Sequence, residues 1–220
     1  LYAQPKIRIE DFEVKSVLDK TYKNGKFNLT IDLKNHSLKN KNISVTYQVS
    51  DEKMILISET KNSSVKKSES INFKATISDI KPWSAEHPNL YNLQIETKDA
   101  NGNTIEVSST KIGFRSVEIK NGLLLVNGKR ITLKGVNTQE TDPETGHVMS
   151  EELLLKDIQL WKENNINAVR LSHYPRGKRF YELCDKYGLY VVDEANIETQ
   201  GLSPMNRLSD DPEWAGAFLE

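Results

Sequence analysis

Residues 166–195 read INAVRLSHYPRGKRFYELCDKYGLYVVDEA. Two apolar runs, Ile166 to Ser172 and Leu189 to Ala195, bracket Phe180, Leu183, Cys184 and Tyr187 at helical spacing, and Gly188 stands where a helix C-terminus favours glycine. A strand, a helix and a second strand follow one another, and both strands are apolar enough to be buried on two faces. The alternation extends one unit upstream. Ile131 to Asn137 reads as a strand. Ser150 reads as the N-cap of a helix with Glu151 and Glu152 in its first turn and Leu154, Ile158 and Trp161 on one face. Asn164 and Asn165 supply its left-handed stop. Strand, helix, strand, helix, strand is a parallel α/β layout, either an open wound sheet or a barrel. A complete barrel needs eight such units over roughly 250 residues, so a barrel here would stop after its third strand.

Toward the N-terminus the apolar period changes from helical to two. Ile7, Ile9, Phe12, Val14 and Val17 begin the pattern. Phe27, Leu29, Ile31, Leu33 and Ile43, Val45, Tyr47, Val49 alternate cleanly with polar residues. Met54 to Ser58, Ile71 to Ile77, Leu90 to Thr97 and Thr104 to Phe114 bring the set to about seven strands, the spacing of a small antiparallel sandwich. Asn24-Gly25 and Asn101-Gly102 signal tight hairpins, because both residue types tolerate positive φ. After Arg115, Asn121-Gly122 and Asn127-Gly128 join three short extended stretches. Residues 1–116 are therefore assigned to a sandwich domain and 117–220 to the start of the α/β domain.

Composition narrows the function classes. Thirty Lys and Arg balance 31 Asp and Glu in 220 residues, so no basic field favours nucleic acid or an anionic membrane surface. The apolar runs are far shorter than the ~20 residues of a bilayer span. The lone Cys184 cannot form an internal disulfide and reads as a core thiol. The first residues lack an initiator Met and a leader, which suggests a segment of something longer. The chain is expected to be soluble, its compartment unreadable. Asn-x-Ser/Thr triplets at Asn28, Asn35, Asn42 and Asn62 are assigned no role, and His36 and His87 read as solvated loop residues.

In a parallel α/β fold the ligand lies beyond the carboxyl ends of the strands. Those ends read Asn137-Thr138-Gln139-Glu140, Ser172-His173-Tyr174-Pro175 and Asp193-Glu194-Ala195-Asn196-Ile197-Glu198-Thr199-Gln200. Amides, carboxylates and one imidazole make a hydrogen-bonding rim suited to a polyhydroxylated ligand. No glycine-rich phosphate loop occurs, which disfavours a dinucleotide or nucleotide enzyme. Arg170 lies in an apolar strand, where a buried guanidinium needs a carboxylate, and Asp193 or Glu194 can neutralise it. His173 is either a structural imidazole or a ligand contact stiffened by Tyr174-Pro175. His147, after the turn at Asp142 to Gly146, reads as solvent-facing.

Asn167-Ala168-Val169-Arg170, Ser172-His173-Tyr174-Pro175, Phe180-Tyr181, Asp185 and Gly188-Leu189-Tyr190-Val191-Val192 resemble the signature of glycoside hydrolase family 2. Asp193 to Thr199 and Pro204-Met205-Asn206-Arg207-Leu208 are similar to its β-galactosidase branch, and Gly135-Val136-Asn137, Trp83 and Pro88-Asn89-Leu90-Tyr91 fit the same family. The resemblance covers essentially the whole chain. It implies an all-β immunoglobulin-like sandwich followed by an incomplete (β/α)8 TIM barrel of about three βα units. It also implies a retaining hydrolase of terminal β-D-galactosides that is homo-oligomeric when complete.

In that family both catalytic glutamates come from later barrel strands, so the resemblance places them after Glu220 and implies that this chain alone is inactive. It assigns His173, Gln139 and Asn137 to the sugar, and Glu198 with Gln200 to a Mg²⁺ site. Arg170, Asp193 and Glu194 become supporting groups. Gln139 and Gln200 stand where bacterial members usually carry histidine, and Leu171 where they carry a small residue. A Gln139 amide can still donate to and accept from a hydroxyl. Gln200 offers an amide oxygen, acceptable to a hard cation. Two rivals are a family member acting on another β-linked sugar, and a non-catalytic carbohydrate-binding or adhesion module built on the sandwich.

Overall fold

The computed structural model describes residues 3–37, 39–198 and 201–219. Two compact units divide after Ile131. The first holds β1 (Ile7–Leu18), β2 (Gly25–Asn35), β3 (Lys41–Ser50), β4 (Ile55–Val65), β5 (Ser68–Ile77), β6 (Tyr91–Asp99) and β7 (Thr104–Ile112). They form antiparallel sheets in the orders β1-β2-β5 and β4-β3-β6-β7. The period-two pattern explains the burial. Leu29, Ile31, Val45, Tyr47, Val49, Phe73 and Leu93 are all fully buried in one core, while Asn28, Thr30, Asp32, Thr46 and Gln48 between them face outward to varying degrees. Tyr47 meets the tilted Phe27 ring at a centroid separation of 5.1 Å and the Phe73 ring edge-on at 4.9 Å. Bulges interrupt the ladders at Ile9/Asp11, Val49/Ser50 and Thr97/Lys98.

The first hairpin differs from the expectation at Asn24-Gly25. Tyr22, at φ 56°, takes the left-handed position there. Gly25 is required for another reason: a Cβ at that position would sit 2.6 Å from the Phe114 ring. Asp19 replaces the missing turn chemistry, its carboxylate accepting from Thr21, Lys23 and Asn24. Asn35 is buried, its amide nitrogen donating to the carbonyls of Lys39 and Val65.

β8 (Val117–Lys120), β9 (Leu123–Val126) and β10 (Lys129–Arg130) make a small antiparallel sheet. Its turns carry Asn121, Gly122, Asn127 and Gly128 at positive φ, as their sequence pattern requires. These strands are compact with the sandwich unit. The physical reason is a set of polar ties. Asn127 accepts from the Ser116 N–H and donates to the Trp83 carbonyl, and the Tyr22 hydroxyl donates to Glu118.

The second unit alternates β11 (Gly135–Thr138), α1 (Glu151–Glu163), β12 (Ala168–Leu171), α2 (Lys178–Tyr187) and β13 (Tyr190–Val192), then ends in a 3-10 turn (Pro212–Trp214) and α3 (Ala215–Leu219). The three strands are parallel in the order β11-β12-β13. Ser150 caps α1 by accepting from the Leu153 N–H, and Gly188 ends α2 at φ 75°. Both helices pack on one face of the sheet, where Ile158, Val169, Leu171, Phe180, Leu183 and Leu189 form the core with Val136 and Val191 beside them. Cys184 is in this core, its thiol pushed up to about 12 by burial and then by Asp185.

All three strands are shorter than the apolar runs that mark them. Before β11, the Asn167 side chain takes the place of a ladder, accepting from the Lys134 N–H and donating to the Thr132 carbonyl.

Candidate active-site rim

Parallel register sets the geometry. Asn137, Arg170 and Val192 form one row across the sheet. Side chains alternate along a strand, and Val136, Val169 and Val191 turn toward the helices, so this row lies on the opposite face. Asn137 and Gln139 are exposed at the end of β11. After β12 the chain turns through a cis Ser172–His173 peptide.

His173 Nδ1 lies 2.9 Å from Glu194 Oε2, Arg170 Nε donates to Glu194 Oε1 at 2.5 Å, and an Arg170 terminal nitrogen is 3.4 Å from His173 Nδ1. Three expected residues thus meet around one carboxylate. The hydrogen bond from His173 outweighs the cost of partial burial and, with Arg170, holds the Glu194 carboxyl below its ordinary value. An Nδ1–H committed to Glu194 leaves Nε2 available to a ligand hydroxyl.

Asp193 plays a separate part. Its Oδ1 accepts from the Tyr181 hydroxyl at 2.9 Å, and that hydroxyl accepts from the Arg176 N–H at 2.9 Å. The expected buried guanidinium is also relocated: the Arg170 side chain is 40% exposed, whereas that of Arg176 is 2% exposed. β12 is too short, and its end too open, to enclose Arg170. Arg176 instead lies over the rings of Tyr174 and Phe180, 5.7 and 5.8 Å from their centroids. It reaches Glu140 and Thr138 at 3.5 Å each, and its Nε is buried with no partner. Burial lowers the pKa of its guanidinium. Reading the sequence missed Arg176 because Pro175 and Gly177 mark a loop. The available signal was an arginine flanked by Tyr174 and Phe180, two platforms for its planar cation.

Glu198 is exposed, with Oε2 3.8 Å from His173 Nδ1; Gln200 lies outside the described residues. Mg²⁺ requires several oxygen ligands. Among the described residues no three His, Cys, Asp or Glu side chains converge as a metal site, so those described do not make up a Mg²⁺ site by themselves. His147 is exposed, its Nδ1 2.7 Å from the Glu140 carbonyl. Among the described residues no helix is long and apolar enough to cross a membrane.

An immunoglobulin-like sandwich leading into the first strands of a TIM barrel, with polar side chains at the strand ends, defines the class. Residues 7–115 match the family model for glycosyl hydrolases family 2, and residues 117–220 match that for the family 2 TIM barrel domain. The chain belongs to glycosyl hydrolase family 2.

It is 43% identical over 227 aligned residues to a β-galactosidase of Pseudoalteromonas haloplanktis, which covers 100% of this chain and 22% of the relative. A β-galactosidase of Photobacterium profundum is 56% identical over 137 residues, covering 62% of this chain and 13% of the relative. The chain thus spans 13% and 22% of the length of these two curated relatives. Among solved structures, a Parabacteroides merdae β-glucuronidase is similar with a TM-score of 0.78 at 25% identity, over 87% of this chain and 24% of that one. A Bacteroides vulgatus β-glycosidase shares the fold with a TM-score of 0.80 at 24% identity, over 97% of this chain and 27% of that one.

Proposed function

We propose that the intact protein is a retaining β-galactosidase releasing terminal non-reducing β-D-galactose, and that this chain supplies part of the sugar-binding rim without the bond-cleaving carboxyl pair. The observation that carries the reading is His173 held by Glu194 at the end of a parallel barrel strand, in a chain similar along its whole length to a β-galactosidase of Pseudoalteromonas haloplanktis. An imidazole with Nδ1 engaged by a carboxylate presents Nε2 as a single oriented polar group, as recognition of a sugar hydroxyl requires. Asn137 and Gln139, exposed at the neighbouring strand end, add amide donors and acceptors.

Retention needs two carboxyl groups about 5–5.5 Å apart, one a nucleophile and the other a proton donor. Glu194 suits neither role: its partners favour the ionised form, which cannot donate a proton, and both its oxygens are engaged, Oε1 by Arg170 and Oε2 by His173, which leaves neither free to attack. The acid/base and the nucleophile are therefore assigned to glutamates that follow Glu220 in the intact protein. Mg²⁺ beside Glu198 and Gln200 and a homo-oligomeric state belong to the same proposal; chelation with metal add-back tests the first and sedimentation the second.

The deciding experiment is hydrolysis of a nitrophenyl β-D-galactoside by the intact protein and by residues 1–220. Turnover by the intact protein and none by the shorter chain is expected. Substantial turnover by residues 1–220 would refute the placement of the carboxyl pair. The glucuronidase likeness makes the glycone the second variable, so the same assay with a nitrophenyl β-D-glucuronide separates the two sugars.

A further inference from the structure

Gln139 is flanked by Thr138 and Glu140, and one guanidinium reaches both flanks. Arg176 lies 3.5 Å from Thr138 Oγ1 and 3.5 Å from Glu140 Oε1. Its backbone N–H donates to the Tyr181 hydroxyl, which donates to Asp193 just after β13. The residue itself lies in the turn that carries His173 and Tyr174. The ends of all three parallel strands are thus tied through Arg176. Surface arginines do not have this environment: this side chain is 2% exposed, faces two aromatic rings and leaves Nε without a partner. A buried cation of this kind costs folding free energy unless its neighbours are fixed around it, and here the neighbours are the segments bearing Gln139 and His173.

We propose that Arg176 is a positioning residue for the sugar-binding rim: by holding Thr138 and Glu140 it fixes Gln139 relative to His173. This rests on the reading of the rim as the sugar site. The group touches no substrate and acts through Gln139, so its loss should weaken ground-state binding more than the chemical step. Lysine keeps the charge but has no planar fork to span Thr138 and Glu140, so Arg176→Lys should recover folding without recovering binding.

The test is a double-mutant cycle in the intact protein with a nitrophenyl β-D-galactoside. Arg176→Gln is expected to raise KM about tenfold with kcat changed less than about threefold, and to change KM less than about twofold in a Gln139→Ala background. Arg176→Lys is expected to keep the thermal midpoint of the wild type while retaining most of the KM increase. An equal KM effect in both backgrounds, or a fall in stability with KM unchanged, overturns the proposal. Should Arg176→Gln fail to fold, Glu140→Gln removes the other end of the contact; it should show a smaller KM increase that likewise vanishes with Gln139→Ala, and persistence there overturns it.

Failure of the substrate reading is seen separately, as a wild-type protein inert on the galactoside. The cycle is then run on whichever nitrophenyl β-glycoside the wild type cleaves. If it cleaves none, hydrogen exchange decides: Arg176→Gln should accelerate exchange in residues 138–141 and leave residues 41–65 unchanged, and unchanged exchange in 138–141 overturns the proposal.

Discussion

His173 and Glu194 share one hydrogen bond, and the state of each limits the other. In the intact protein His173→Phe removes the acceptor while keeping a ring, and kcat/KM for the galactoside should fall about a hundredfold. The acid dependence follows from Glu194. Its carboxyl is held below the ordinary value of 4.5, so the stabilisation from its partners is fully present above that value and is lost as pH falls through the depressed one. The thermal-midpoint difference between wild type and Glu194→Gln should therefore be flat near neutrality and shrink below about pH 4.5, which a melting series in pH will show.

Tyr47 offers a residue-scale test in the sandwich. Its hydroxyl is buried with no partner, and burial pushes the phenol up to about 12. Tyr47→Phe should raise stability by about 1 kcal/mol in denaturant unfolding, because an unpaired buried hydroxyl costs more than a packed ring edge. Arg170 and Arg176 show how far single residues can be read from the chain. A strand position signals that a guanidinium needs a carboxylate, and Glu194 supplies it. Which arginine becomes buried depends on where Tyr174, Phe180 and Glu140 fold together, and no local pattern encodes that.

At the scale of elements, the caps were the most legible features because their chemistry is local. Ser150 accepts from the Leu153 N–H and Gly188 adopts φ 75°, both as their positions require. Ser150→Ala should cost about 1 kcal/mol, and Gly188→Ala a similar amount from the left-handed backbone. Both are checked by urea unfolding of residues 1–220. Strand lengths were less legible. The apolar runs extend before β11 and past β13, but Thr132, Leu133 and Lys134 are exposed there, as are Asp193 and Ala195, so hydrophobicity alone did not mark the strand bounds; at residues 132–134 it is the Asn167 amide that satisfies the main chain. The Asn24-Gly25 pair shows the same limit, since the left-handed residue is Tyr22 and the glycine answers to Phe114.

At the scale of the molecule, the sandwich core draws every buried residue from positions 9–114, and its compact unit runs to Ile131. Residues 3–131 should therefore fold alone and melt in one cooperative transition, whereas multiphasic melting would show that the unit depends on the rest of the chain. The bulges described in β1 and at Thr97/Lys98 have a further consequence. A strand at the rim of a sheet is a template on which another chain can grow. β1 offers a crooked template, broken at Ile9/Asp11 and studded with Glu10, Glu13 and Lys15. Concentrated solutions of residues 3–131 should accordingly stay clear and leave an amyloid dye dark, while straightening and discharging that rim should let fibrils seed from it.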